Sequence, residues 1–342
     1  MPLVPLPSPS SVLETQINQP SSRAPLAVFD ARHGQANWAQ TGFASREMHT
    51  NFAGVTDTLC RLGCRCVPTD DDQPLVKYLA RARLLVVPPP TGSYSARKEA
   101  WMPLPTSLLD AEEISAILRF VREGGRLFLS AYRFGDSFTN TNLRELTSPL
   151  GCLLNDDVVI DLRTLRATHA LEAHFDSSRT CLPLPWSLDG VATVRWRLMA
   201  SFTILPATRA WPLALSPGGG CLSFNRAHRR ISFASLPIAV AGLYGNGRFV
   251  LLGGPHAFET GTFGLLKTAD NSRFLQNVLR WLLDDQVATA NASTGLQSPG
   301  EPVPEFCRVE NRGAGRSTVA YVERQLRSNR VLKALNQAKW QP

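Results

Sequence analysis

No apolar run in this chain approaches the roughly 20 residues that cross a bilayer. Residues 1–11 also lack the basic n-region and apolar h-region of a secretion signal. The expected compartment is therefore the cytoplasm, with no membrane contact. Charge is sparse, at 19% of residues against 44% hydrophobic, which is a globular composition rather than a disordered one. The seven cysteines are an odd number, and Cys152, Cys181, Cys221 and Cys307 are widely scattered, so no secreted disulfide framework is implied. Cys60, Cys64 and Cys66 stand close together but lack a second Cys/His pair at zinc-ribbon spacing. They are expected to pack as reduced thiols, and no metal site is expected.

Signatures of nucleotide or hydrolytic chemistry are also missing. Gly218-Gly219-Gly220 has no following Lys-Ser/Thr, and Gly245-Asn246-Gly247 lies between two strand-like runs rather than between strand and helix. No zincin motif occurs and no Gly-x-Ser-x-Gly surrounds a serine. No cofactor is expected.

What charge there is lies unevenly. Of the net +8, residues 1–23 contribute zero (Glu14 against Arg23) and residues 286–315 contribute −1. Residues 316–342 contribute +5, from six basic residues against Glu323, which leaves +4 for residues 24–285. That is a weak field for a body of this size.

The order of elements is legible. Residues 1–23, rich in Pro, Ser and Gln, are expected to be a disordered leader. Leu26-Ala27-Val28-Phe29 begins the ordered part, 24–285. Met48, Phe52, Val55, Leu59 and Leu62 keep helical spacing up to Gly63. Arg83 to Pro88 is a strong strand. Asp110-Ala111-Glu112-Glu113 opens a helix carrying Ile114, Ile117, Leu118 and Val121, which Gly124-Gly125 ends before Arg126-Leu127-Phe128-Leu129-Ser130. Short apolar runs alternating with amphipathic helices predict an α/β fold with a doubly wound, mostly parallel sheet. The alternation lapses over 152–236, which predicts a β-rich insertion or extension with strands near Val158–Leu162, Thr193–Leu198 and Phe202–Leu205. A hairpin through Gly245-Asn246-Gly247 and a helix capped by Asp270 or Asn271 complete the folded part. A linker over 286–315 and a basic amphipathic helix over 316–342 follow.

Several of these segments carry a resemblance. Phe29-Asp30-Ala31-Arg32-His33-Gly34 closes the first strand, and Glu123-Gly124-Gly125-Arg126-Leu127 leads into a central one. Tyr244-Gly245-Asn246-Gly247-Arg248-Phe249-Val250 precedes Gly253-Gly254-Pro255-His256, and Asp270 to Leu282 closes the set. In this order they resemble the class I glutamine amidotransferase-like domains of gliding-motility and ABC-transporter auxiliary proteins, and of an intraflagellar-transport subunit. The resemblance implies a flavodoxin-like sheet and, in most members, no established catalysis. True amidotransferases hold a nucleophilic cysteine in a sharp elbow after the central strand. Here Ser130-Ala131-Tyr132-Arg133 stands at that place, so thiolate acyl transfer is not expected.

In open α/β sheets, ligands bind beyond the carboxyl ends of the strands. The polar residues expected on that rim are Asp30, Arg32, His33, Tyr132, Arg133, Asp136, His256 and Glu259. They could hold a small-molecule or carbohydrate ligand. They could equally be ordinary turn, cap and ion-pair residues. None is assigned a catalytic role. Val319, Val322, Leu326, Leu332 and Leu335 form a stripe on the basic helix suited to a protein partner, and no nucleic-acid contact is expected. The expected function is a non-catalytic ligand- or protein-binding module. The alternative is a hydrolase-type enzyme without a thiol, using His33, Asp136 and His256.

Overall fold

The alternating apolar runs become strands of one twisted sheet, flanked on both faces by helices. A computed structural model describes residues 24–33, 52–69, 73–90, 93–95, 100–102, 108–139, 141–161, 174–178, 181–217, 221–225, 230–232, 235–260 and 264–284. The expected leader, linker and basic helix lie outside these residues, as do Met48 and Gly218-Gly219-Gly220. The first half runs β1 (Leu26–Phe29), α1 (Ala53–Arg61), β2 (Arg65–Pro68), α2 (Leu75–Leu79) and β3 (Leu84–Val87). A small hairpin, β4 (Ser93–Ser95) and β5 (Ala100–Met102), precedes α3 (Ala111–Arg122), β6 (Arg126–Ser130), α4 (Gly135–Thr139) and α5 (Leu143–Thr147). The β-rich part follows, with β7 (Cys152–Leu154), β8 (Asp157–Asp161), β9 (His174–Ser178), β10 (Thr193–Arg197) and β11 (Phe202–Ile204). β12 (Ala210–Leu215), β13 (Cys221–Asn225), β14 (Arg230–Ser232), β15 (Pro237–Tyr244), β16 (Gly247–Leu252) and α6 (Asn271–Leu283) complete it.

The main sheet has seven strands in the order β12-β15-β16-β6-β3-β1-β2. Pairs from β16 to β2 are parallel, and β15 and β12 extend the sheet antiparallel. Taken alone, the parallel strands keep the 2-1-3-4-5 order of flavodoxin-like sheets. Both faces are covered, so every strand alternates between two cores. Ala27, Phe29, Leu84, Val86, Phe128 and Val250 face the core shared with α1 and α6. Val28, Leu85, Val87, Leu127, Leu129 and Leu251 face the core shared with α2, α3 and α5.

Local chemistry explains the element ends. Asp110 and Glu113 form a reciprocal capping box at the start of α3, and Gly124, at φ +115°, ends that helix before β6. Gly245, at φ +59°, turns the β15–β16 hairpin. Asp270 stands at the N-cap of α6 but makes no side-chain cap bond. Its carboxylate accepts instead from the Ala192 and Thr193 amides (2.8 and 3.0 Å), fastening the helix start to β10.

At the amino edge, Arg126 and Arg248 are register neighbours on β6 and β16, and both are buried. Arg126 Nε donates to the Leu282 carbonyl (2.8 Å) and Arg248 Nη1 donates to that of Trp281. The Arg248 guanidinium also lies over the Trp281 ring, 5.2 Å from its centre. Two buried cations thus satisfy the last carbonyls of α6, where the helix dipole is negative. The described chain consequently leaves at Asp284 from the amino edge of the sheet, opposite the strand ends that form the rim.

Candidate functional site

The rim is built from the turns that leave β1, β6 and β16. Asp30 follows β1 directly and is fully buried, and its amide continues the ladder to Val86 (2.8 Å). Its Oδ2 lies 2.7 Å from His33 Nδ1, and its Oδ1 accepts from the Arg32 amide (3.2 Å). The other ring nitrogen, Nε2, lies 3.0 Å from Glu113 Oε2 at the start of α3, and Arg32 Nη1 reaches Glu113 Oε1 (2.9 Å). Burial pulls the His33 imidazole toward neutrality, but the bonds and charges of Asp30 and Glu113 outweigh it and push the pKa up to about 9. Glu113 feels the same burial, yet His33, the Asp110 amide and Arg32 hold it below the usual carboxylate range. His33 is therefore an imidazolium clamped between two carboxylates, with both ring nitrogens engaged. It spans the point where the sheet order reverses, between β1 and β3, at which doubly wound folds bind ligands.

A second cluster stands beyond β6 and β16. His256 Nδ1 lies 2.7 Å from Glu259 Oε2, and both residues are buried. The Tyr132 ring meets the imidazole edge-on, centroids 5.7 Å apart, and Arg133 lies over the Tyr132 ring at 5.4 Å. A carboxylate that orients an imidazole is half of an acid–base apparatus. The nearby Ser130 hydroxyl is fully buried and donates to the Ala131 carbonyl (3.1 Å). His256 and His33 belong to strands three spacings of about 4.8 Å apart, so their strand ends are on the order of 14 Å from each other.

Asp136 serves the backbone. Its Oδ1 accepts from Thr141 Oγ1 (2.7 Å) and the Leu143 amide (2.8 Å), and its Oδ2 accepts from the Arg144 amide (2.9 Å). These are the donors that open α5, so Asp136 works as its cap; burial raises its pKa despite the bonds. Of the eight rim residues singled out from sequence, Asp30, Arg32 and His33 form one cluster, Tyr132, Arg133, His256 and Glu259 a second, and Asp136 stands with α5. Glu113 was not singled out. Its capping-box spacing from Asp110 was visible, but its reach to His33 depends on how α3 packs beside β1.

The glycines of Gly253-Gly254-Pro255 do not open space for a ligand. The connection between β10 and β11 fills it: the Ala200 amide donates to the Gly253 carbonyl (2.8 Å), and a Cβ at Gly253 would overlap the Ala200 carbonyl oxygen. A Cβ at Gly254 would meet Met199 Sδ at 3.0 Å. The cover is itself pinned by Asp157. That buried carboxylate accepts from the Ser201 amide (2.7 Å), the Ser201 hydroxyl (2.6 Å) and the Ser223 hydroxyl, and burial raises its pKa. Phe134, at φ 61°, donates its amide to the Asp157 carbonyl (2.7 Å), tying the turn after β6 to the same cover. The β-rich part thus roofs the carboxyl ends of β6 and β16.

Among the described residues no group of three or more His, Cys, Asp and Glu side chains could hold a metal ion, and no helix is long and apolar enough to cross a membrane. No family model matches the chain, and no curated protein matches its sequence. Solved structures do match. The mmIFT52 N-terminal domain is 16% identical with a TM-score of 0.53, over 75% of this chain and 96% of that one. A cytoplasmic protein from Salmonella typhimurium LT2 is 13% identical, with a TM-score of 0.45 over 75% and 98% of the two chains. A ThuA-like protein from Bacteroides uniformis is 12% identical, with a TM-score of 0.40 over 77% and 94%. At such identities the likeness to the mmIFT52 domain is one of fold: a mixed α/β body around a mostly parallel sheet.

Proposed function

We propose that this chain is a non-catalytic binding module that engages a polypeptide partner, with residues 316–342 supplying one contact. One observation carries the reading. The titratable groups of the rim are engaged with one another or with backbone: His33 with Asp30 and Glu113, His256 with Glu259, Asp136 with the start of α5. A histidine held charged up to about pH 9 cannot act as a base at neutral pH. The roof of residues 198–201 leaves little room above Gly253 and Gly254. A polypeptide partner therefore suits this protein better than a small molecule or carbohydrate. The fold shared with the mmIFT52 domain is in keeping with the resemblance to an intraflagellar-transport subunit.

The C-terminal segment carries +5 beyond a Pro- and Gly-containing stretch, with an apolar stripe that needs a surface to cover. Deleting 316–342 should abolish partner capture and leave the melting temperature within a degree or two of the full chain. A drop of several degrees with capture retained would show that the segment packs on its own fold. Hydrolysis of a p-nitrophenyl ester that vanishes in His256→Ala would overturn the non-catalytic reading.

A further inference from the structure

The fold gathers at one edge of the sheet a charge that the sequence disperses. Arg61 ends α1, Arg81 lies between α2 and β3, and Arg119 and Arg122 stand in the last turn of α3. Arg209 precedes β12, Arg280 stands in the last turn of α6, and all six are exposed. Each helix runs back against the parallel strands, so these helix ends and strand starts share the amino edge. The Arg209 carbonyl accepts from the Leu243 amide (2.8 Å) near the end of antiparallel β15, which places it on the same edge. Exposed carboxylates there, among the described residues, are Glu123 and Asp284; Asp57 sits one turn higher on α1. Six spacings of about 4.8 Å make this front roughly 29 Å wide. Toward the opposite edge Asp30, Glu113 and Asp156 are mixed with Arg32, His33 and Arg144, whereas the amino edge sets six exposed arginines against Glu123 and Asp284 among the described residues.

Cations in the last turn of a helix complement its dipole, which accounts for part of the pattern. It does not account for Arg209, which follows no helix. Nor does it explain the preference for arginine, whose planar fork matches a carboxylate, over lysine, which appears among these exposed helix-end cations only as Lys77 in the last turn of α2.

We infer that the amino edge of the sheet is a docking face for an acidic polypeptide segment of a partner protein. Two features select polypeptide over nucleic acid. The face holds helix C-termini rather than the N-termini that bind phosphate groups, and the last carbonyls of α6 there already accept from Arg126 and Arg248. Half-buried Phe120, Tyr244 and Leu243 lie among the arginines, and aromatic residues with arginine are the composition of protein hot spots. This inference rests on the binding-module reading and extends it. The described chain leaves from this same edge at Asp284, and the segment 316–342 is itself +5. Like charge opposes its return onto the face.

The test uses the full chain and a fluorescein-labelled peptide of alternating Glu and Leu, about twenty residues long, titrated by anisotropy at near-physiological salt. The variant Arg119→Glu/Arg122→Glu/Arg280→Glu, with the C-terminal segment intact, should bind at least about tenfold more weakly while still unfolding cooperatively, at a melting temperature lowered by the lost dipole complement. Should that variant unfold, the Gln versions at the same positions should weaken binding and flatten its salt dependence. Unchanged affinity in both variants would overturn the inference. So would tighter binding of a single-stranded or duplex DNA probe, or of phosphatidylserine vesicles, lost in the same variants. Deleting 316–342 separates the two claims: if capture then fails while the charge-reversed face still binds, the face is wrong and the module reading stands.

Discussion

His33 and Glu113 are 80 residues apart in sequence, and His33 Nε2 lies 3.0 Å from Glu113 Oε2. The contact joins the end of β1 to the first turn of α3. Glu113 also accepts from the Asp110 amide (3.1 Å), so one carboxylate closes a capping box and holds a buried imidazolium.

That pairing makes stability fall with rising pH. The folded pKa of His33, about 9, lies above the unfolded value of 6.5, so the folded state binds the extra proton. The stabilisation is complete below about pH 6.5 and is lost as pH rises through about 9. Thermal melts of the wild type should therefore shift downward across this window. In His33→Gln the baseline should be lower and the slope largely gone. An equal slope in the variant would assign the pH dependence elsewhere.

Asp136 should matter for stability. Asp136→Ala removes acceptors from Thr141 Oγ1 and from the Leu143 and Arg144 amides at the start of α5. We expect a loss of about 1–2 kcal/mol in denaturant unfolding, the usual scale of a lost cap. Asp136→Asn should recover part of it. Partner binding should be unaffected in both.

Gly253→Ala tests the roof. Its Cβ would overlap the Ala200 carbonyl oxygen, which is backbone and cannot turn aside. We expect at least about 1–3 kcal/mol of destabilisation, as in overpacked cores. Gly254→Ala should cost less, because its nearest neighbour is the flexible Met199 thioether at 3.0 Å. A fully tolerated Gly253→Ala would mean that the β10–β11 connection moves away readily.

The cysteines should be dispensable for function. Burial pushes the Cys64 thiol up to about 11 and the Cys152 thiol up to about 12, away from the reactive thiolate. Cys60→Ser, Cys64→Ala and Cys66→Ser should each retain partner capture, and glutamine-dependent ammonia release should be absent throughout. Ammonia release lost in any one of them would contradict this.

The sheet and its two cores were legible along the chain because they depend on local alternation. Leu84 to Val87 and Leu127 to Leu129 divide between opposite faces by strand geometry alone, and Gly124 and Gly245 mark their turns through positive φ. Strands near Val158, Thr193 and Phe202 also emerged where expected, as β8, β10 and β11. The sequence could not tell that β10 and β11 would bring Leu198 to Ser201 over Gly253 and Gly254. Small residues indicate that something approaches closely, but not whether it is a ligand or the chain itself.

Composition and periodicity by themselves determined an α/β body with a mostly parallel sheet and a basic C-terminal segment, since each follows from residue type and near-neighbour spacing. Tertiary structure alone decided the rest. It closed His33 between Asp30 and Glu113, turned Asp136 into a helix cap, and set Arg126 and Arg248 under the end of α6. It also collected six arginines from five separate stretches onto one edge, because parallel strands place every helix end at the same side of the sheet. Such groupings join residues far apart in the chain, and no local pattern records which of them will meet.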